Sequence, residues 1–152
     1  MREIKFNAWI KETKKMIDVA FINFPARTIL ESKGNYKHEG HCFEDIELLQ
    51  YIGLNDKNGK EIFESDIVKD DWGRIMEVVF NKEKAKFQFR LIRVEGEHAH
   101  WANNFVWADM TDWFERGHNH IEVIGNIYQN KKILEVEWWK HQLTLNYGIL
   151  HL

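Results

Sequence analysis

The chain has 152 residues, of which 44% are hydrophobic and 30% are charged, and its formal net charge is −3. This length allows one domain or two very small ones. Seven Trp and ten Phe residues supply enough large apolar side chains for a packed core, which excludes a wholly disordered chain. The 21 basic residues are outnumbered by 24 acidic ones, whereas a nucleic-acid-binding protein usually carries a basic excess.

Cysteine use and hydropathy indicate the compartment. The single cysteine, Cys42, excludes an internal disulfide framework and is typical of a reducing environment. The charged segment 1–5 lacks the apolar core of a signal peptide, and there is no run of about 18 apolar residues that could span a membrane. We therefore expect a cytoplasmic protein without membrane contact.

The first part of the chain reads as strands. Alternating apolar and polar side chains predict a strand at 2–10, with Ile4, Phe6, Ala8 and Ile10 on one side and Trp9 on the other. Residues 16–24 are its predicted hairpin partner. The weakly patterned stretch 26–42 predicts a loop that carries a short strand at 28–30.

The middle of the chain continues in the same way. A strand is predicted from about 46 to 52, and Asn58-Gly59 predicts a tight type I′ turn, in which both residues take a positive φ. Further strands are predicted at three places along the chain: 66–69, 74–80 and 85–94.

The last part ends in an apolar tail. A final strand at 121–128 contains Gly125, which predicts a bulge or a close backbone approach. The tail is expected to form a helix to about residue 141, followed by an extended end. Strands thus follow one another through short turns, so the predicted fold class is mainly β with antiparallel strands.

Four segments together resemble the YopX family of short phage and prophage proteins. They are REIKFNAW at 2–9, KKMI at 14–17, LLQYIGLNDKNGKEIFESDIVK at 48–69 and IEVIGNIYQN at 121–130. The resemblance implies a small Src-homology-3-like (SH3-like) barrel in the second part of the chain and no established activity. It gives three regions: an N-terminal β-hairpin subdomain at 1–45, the barrel at 46–130 and an apolar C-terminal tail at 131–152. Ser65 stands where the family typically has glycine before Asp66.

Histidine pairs are the first candidates for chemistry. His98 and His100, like His118 and His120, have the His-x-His spacing that places two rings on one face of a strand, where they could bind a metal. The cluster His38, His41 and Cys42 lies in the predicted loop. Neither a Cys-x-x-Cys nor a His-Glu-x-x-His motif completes a site, so solvated loop histidines are favoured and no metal or other cofactor is expected.

No motif in the sequence indicates enzymatic activity. The sequence contains no nucleophile elbow and no Gly-rich phosphate loop, and neighbouring carboxylates such as Asp70 and Asp71 are better explained as turn residues. We therefore expect no enzyme, with a metal-dependent hydrolase as the remote alternative.

Aromatic and apolar residues late in the chain are the candidate interaction surface, because a small core cannot enclose all of them. They are Trp101, Trp107, Trp113, Trp138, Trp139, Leu143, Leu145 and Tyr147. A set of cations offers the alternative of nucleic-acid binding next to exposed rings. These cations are Lys82, Lys84, Lys86, Arg90 and Arg93, and acidic residues interleave with them.

Together these observations predict a phage or prophage accessory protein of the bacterial host cytoplasm that acts through protein contacts rather than catalysis. The expected partners are a second copy of the chain and a host or phage protein. The apolar tail is expected to contribute to self-association, because an exposed patch of that size is unusual on a monomer. A nucleic-acid-binding small barrel is the alternative that the sequence leaves open.

Overall fold

The computed structural model describes residues 3–32, 39–95, 107–110 and 120–135. Within these ranges the chain forms two antiparallel sheets, one of six strands and one of five. The predicted mainly β, antiparallel fold class is therefore confirmed. No helix in the described ranges is long and apolar enough to cross a membrane.

The first sheet has the strand order β4-β3-β2-β1-β5-β6. Its strands are β1 (Phe6–Ile10), β2 (Lys15–Asn23), β3 (Thr28–Glu31), β4 (Gly40–Cys42), β5 (Ile46–Asn55) and β6 (Glu61–Phe63). A short 3-10 helix, Phe43–Asp45, leads into β5. The strand β1 lies in the middle of this sheet because it pairs with both β2 and β5.

The second sheet has the order β10-β9-β8-β7-β11. Its strands are β7 (Asp66–Lys69), β8 (Arg74–Asn81), β9 (Lys86–Val94), β10 (Trp107–Asp109) and β11 (Glu122–Asn126). A helical turn, α1 (Lys131–Leu134), follows β11 and ends where Glu135 becomes extended. The predicted continuation of this helix to about residue 141 and the extended end lie outside the described residues.

The SH3-like barrel does not close within the described residues, because its edge strands β10 and β11 do not pair. The outer edge of β11 is occupied by the segment that follows β5. There the Lys57 amide donates to the Ile121 carbonyl (2.8 Å) and the Val123 amide donates to Asp56 Oδ2 (3.0 Å). These bonds take up the Ile121 carbonyl and the Val123 amide, two groups that a closing strand would otherwise pair with.

Each sheet contributes its own buried cluster. The first is built around Ala8, Ile17 and Ile29, and the second around Val68, Met76 and Phe89. Ile52 and Ile62 come from the first sheet but pack into the second cluster. The first sheet includes β5 and β6, so the division between the two sheets falls after β6 in the chain. The subdomain boundary proposed at residue 45 stays a prediction.

Two hairpin turns are built alike, from an Asp, a Gly three residues later and a basic residue after that. In the first, the amide of Gly59 donates to the Asp56 carbonyl (3.0 Å) and the amide of Asp56 to the Lys60 carbonyl (2.7 Å). Gly59 has φ +82°, whereas Asn58 has a negative φ. The turn is therefore type I followed by a left-handed glycine rather than type I′, and only the glycine half of that prediction is correct.

The second such turn runs from Asp70 to Arg74. Gly73 has φ +80° and donates its amide to the Asp70 carbonyl (3.1 Å). Asp70 Oδ1 accepts from the amides of Trp72 and Arg74, both at 2.9 Å. The aspartate side chain thus fixes each turn by taking up backbone donors that the hairpin leaves unpaired.

Candidate interaction site

A cavity of about 480 Å³ lies where the two sheets meet. Its lining comes from β1, β2, β5, β6, β7, β11 and the turns beside them: Asn7, Met16, Leu49, Lys60, Glu61, Phe63, Asp66, Ile124, Gly125, Asn126, Gln129 and Asn130. Every one of these residues falls within the four segments that carry the YopX resemblance. The cavity is therefore where those separate segments converge in space.

Two buried aspartates hold this junction together. Asp56 Oδ1 accepts from the amides of Asn58 (2.8 Å) and Lys60 (2.9 Å), while Oδ2 reaches β11 at Val123. Although its burial acts to raise the pKa of Asp56, these backbone donors outweigh it and hold the pKa below its usual value. The charged form is thus the one that the fold stabilises.

Asp66 is the second aspartate. Its Oδ2 accepts from the Phe63 amide (2.8 Å) and its Oδ1 from Asn126 Nδ2 (3.1 Å), so it joins β6, β7 and β11. Here burial prevails and raises the pKa of the Asp66 carboxyl, because the two hydrogen bonds do not repay the loss of water around the charge. Both aspartates have a structural role that accounts for their burial.

The turn after β11 closes the cavity. Asn130 Oδ1 accepts from the Asn126 amide (3.0 Å), and Asn126 Oδ1 accepts from the Tyr128 amide (3.0 Å). A Cβ at Gly125 would lie 2.8 Å from Asn130 Oδ1 and 2.9 Å from Ile133 Cδ1. The strand register shifts between Val123 and Gly125, as expected for the predicted bulge, and the atoms that crowd Gly125 are side-chain atoms rather than another backbone.

A wider groove of about 870 Å³ adjoins the cavity and shares Gln129 and Asn130 with it. Two of its lining residues, Trp9 and Tyr128, stack with ring centroids 5.9 Å apart and planes 20° apart. Trp9 is only 6% exposed, because Tyr128 covers the face of β1 that the alternation pattern assigns to solvent. Burial also raises the pKa of Tyr128.

Four lysines surround these rings. Lys11 and Lys14 come from the β1–β2 turn, and Lys131 and Lys132 come from α1. We call the space that they enclose the lysine groove. With Glu47 as its one carboxylate, its lining carries a formal charge of +3, opposite in sign to the chain as a whole.

Most of this charge is not neutralised locally. Lys11 pairs with Glu47 (3.0 Å) and also donates to the Glu44 carbonyl (3.0 Å). Lys14, Lys131 and Lys132 are exposed and form no ion pair with another described residue. The groove therefore offers three ammonium groups that have no ion-pair partner in the described part of the chain, beside a covered aromatic pair.

The basic residues proposed from the sequence are arranged differently. Lys82 and Lys84 are exposed in the β8–β9 turn, and Lys86 begins β9. Arg90 pairs with Glu77, while Arg93 bonds both Glu95 (2.8 Å) and the Ile133 carbonyl. Because both arginines have partners within the protein, only part of this set is available to an external anion.

The proposed aromatic surface lies almost wholly outside the described residues. Trp107 begins β10. The others, Trp101, Trp113, Trp138, Trp139, Leu143, Leu145 and Tyr147, fall in segments that the structure does not describe. Their role as an interaction surface stays a prediction.

Of the histidine candidates the structure describes His41 and His120. The others lie outside the described residues: His38, His98, His100 and His118. His41 lies on β4 and its Nε2 is buried without a hydrogen-bond partner, while the neighbouring Cys42 is exposed. His120 Nδ1 lies 2.6 Å from Asp71 Oδ2, and its ring meets Trp72 edge-on with centroids 5.4 Å apart. Across the described ranges no group of three His, Cys, Asp or Glu side chains could hold a metal ion.

Sequence reasoning missed the lysine groove. Its signals were present, since two lysines follow Asn130 directly and two more occupy the turn after Ile10. What no local pattern could show is that β1 and the segment after β11 lie side by side. In the structure the two segments meet through the stacked rings of Trp9 and Tyr128.

Comparison with known proteins gives a family and a fold. The family model described as YopX protein matches residues 5–135. The crystal structure of protein EF1440 from Enterococcus faecalis is similar, with 22% sequence identity and a TM-score of 0.55 over 89% of this chain and 100% of that one. At this identity the likeness shows a shared fold alone. No curated protein matches the sequence.

Proposed function

Because the chain belongs to the YopX family, we propose that it is a phage or prophage accessory protein that acts in the cytoplasm of the bacterial host as a non-catalytic binding module for other proteins. The observation that carries this proposal is the lysine groove: a charged, solvent-open surface built by the segments where the two sheets meet. Charged rims around partly apolar clefts are typical of protein-contact sites.

Self-association is part of the proposal. Phe21 in β2 and Phe24 in the β2–β3 turn are 56% and 69% exposed. Phe24 meets Phe43 edge-on, with ring centroids 6.3 Å apart, so these two rings form a small apolar patch. Such a patch on a protein of this size favours contact with a second copy or with a partner.

Nucleic-acid binding is the second candidate, favoured by the positive charge of the lysine groove. Single-strand binders of this kind stack bases on open aromatic faces. In this groove the Trp9 face is covered by Tyr128, and Trp9 is almost fully buried. A protein partner therefore suits the groove better than a nucleic acid does.

Site-specific photocrosslinking in the bacterial host tests the proposal. Benzoylphenylalanine in place of Lys14 should give a discrete protein adduct, whereas the same group in place of Lys84, which is also exposed but lies in the β8–β9 turn, should not. Equal adducts from both positions, or none from position 14, would contradict the proposal. An adduct with nucleic acid alone would favour the second candidate.

A further inference from the structure

We propose that the lysine groove binds an acidic peptide segment of the partner protein, an inference that rests on the proposed function and gives the partner a chemistry. The recognising groups are the ammonium groups of Lys11, Lys14, Lys131 and Lys132. They meet carboxylates as point charges with freely rotating donors.

Charge complementarity identifies the occupant. Three of the four lysines have no ion-pair partner among the described residues, and they collect around one groove on a chain whose net charge is negative. Like charges brought together in this way repel one another, which costs stability unless a counter-charge is bound. An anionic ligand relieves that repulsion, and a peptide supplies several carboxylates at intervals along an extended chain.

The groove also has room for an extended segment. Lysines come from the β1–β2 turn on the first sheet and from α1 after the second, and the stacked rings of Trp9 and Tyr128 line the same groove. A volume of about 870 Å³ is large enough for several residues. Ile133 and the half-buried Tyr128 supply apolar contact for the stems of the bound side chains.

Backbone pairing to a sheet edge does not supply the recognition here. The edge amides at the neighbouring junction are already taken, Phe63 by Asp66, Val123 by Asp56 and Asn126 by Asn130. Side-chain charge is thus the feature that selects a ligand. This predicts that binding weakens as salt is added, because exposed ion pairs are screened.

Fluorescence anisotropy with the full chain tests the inference. The probes are labelled peptides of alternating Glu and Ser, the matched peptide of alternating Gln and Ser, and oligothymidine of equal length. The acidic peptide should bind and the neutral one should not. The double variant Lys14→Glu/Lys132→Glu should weaken binding about ten-fold or more, since two attractive contacts become repulsive.

The control variant is Lys82→Glu/Lys84→Glu, which makes the same charge change in the β8–β9 turn and should leave the affinity unchanged. The milder pair Lys14→Gln/Lys132→Gln, checked by circular dichroism, keeps the test valid if charge reversal harms folding. No binding of the acidic peptide, or an equal loss in the control, would overturn the inference.

Two further outcomes distinguish a failure of this inference from a failure of the proposed binding-module function. Tighter binding of oligothymidine than of the acidic peptide would replace the acidic partner with a nucleic acid. A protein adduct at position 14 without acidic-peptide binding would keep the binding-module function and refute the charge class of the partner.

Discussion

The two similar hairpin turns offer a matched experiment on backbone packing. Gly59 and Gly73 occupy the same place in their turns and have nearly the same φ, +82° and +80°. A Cβ at Gly59 would meet nothing within 4 Å, whereas a Cβ at Gly73 would lie 2.2 Å from the Glu95 carbonyl oxygen. The two positions therefore differ in available space and not in backbone conformation.

The expected magnitudes follow from that difference. Gly59→Ala should lower the free energy of unfolding by about 1 kcal/mol, the cost of holding a residue with a Cβ at a left-handed φ. Gly73→Ala carries the same strain and also forces backbone against backbone, where no side chain can swing away. Moving Glu95 would stretch the bond that its amide donates to the Gly73 carbonyl (2.8 Å). The overlap should add about 2 kcal/mol.

Urea unfolding followed by circular dichroism measures the free energy of unfolding of both variants and of the unmodified chain. In thermal melts of the same proteins, the melting temperature should fall by about 3 °C for Gly59→Ala and by about 9 °C for Gly73→Ala, at about 3 °C per kcal/mol for a chain of this size. Losses that agree within about 0.5 kcal/mol would refute the close contact at Gly73.

Four other predictions follow from the junction and the termini. Asp56→Asn should cost about 2 kcal/mol at neutral pH, because an amide NH₂ would face the buried Val123 amide. The pKa of Asp56 is lowered on folding, so its contribution to the free energy of unfolding is lost only as the pH falls through that lowered pKa. The difference in free energy of unfolding between the unmodified chain and Asp56→Asn should therefore shrink from about pH 7 to about pH 3. Asp66 should show the opposite trend: the difference in free energy of unfolding between the unmodified chain and Asp66→Asn should shrink as the pH rises, because the raised pKa means that the folded chain prefers the protonated Asp66 carboxyl. Urea titrations at both pH values check the two signs. Ser65→Gly should change the free energy of unfolding by less than about 0.5 kcal/mol, because relief of the left-handed φ (+67°) offsets the loss of the side-chain hydrogen bond with Tyr128. A thermal melt that shifts by several degrees would contradict this. Light scattering of the full chain should show an oligomer that deletion of 136–152 weakens, and a monomer at tens of micromolar, or an oligomer that survives the deletion, would contradict self-association through the tail.

Local patterns predicted most of the strands. Alternation placed strands close to the observed β1, β2, β5, β8 and β9, because each of them has one face on a core. The short β4 was missed, since Gly40–Cys42 has no apolar alternation and its place beside β3 supplies the pairing. Ser65, which stands where the family typically has glycine, adopts a left-handed φ of +67°, and the sequence alone did not predict this conformation.

Long-range pairing was beyond the sequence. β1 pairs with β5 as well as with its hairpin partner, and this places Trp9 against Tyr128 although alternation had put Trp9 on the polar side. The bond between Asp56 and Val123 of β11 joins residues far apart in the chain, which no spacing rule encodes. The lysine groove likewise combines segments that are distant in the sequence, so it became visible only in three dimensions.

The central claim is that an acidic partner segment binds at the junction of the two sheets, and amide NMR of the labelled full chain titrated with the acidic peptide tests it most directly. Shift changes should centre on Lys11, Lys14 and the stretch 128–133, with the β8–β9 turn at Glu83 and Lys84 unaffected. Changes centred on the β8–β9 turn, or spread evenly over both sheets, would contradict the claim.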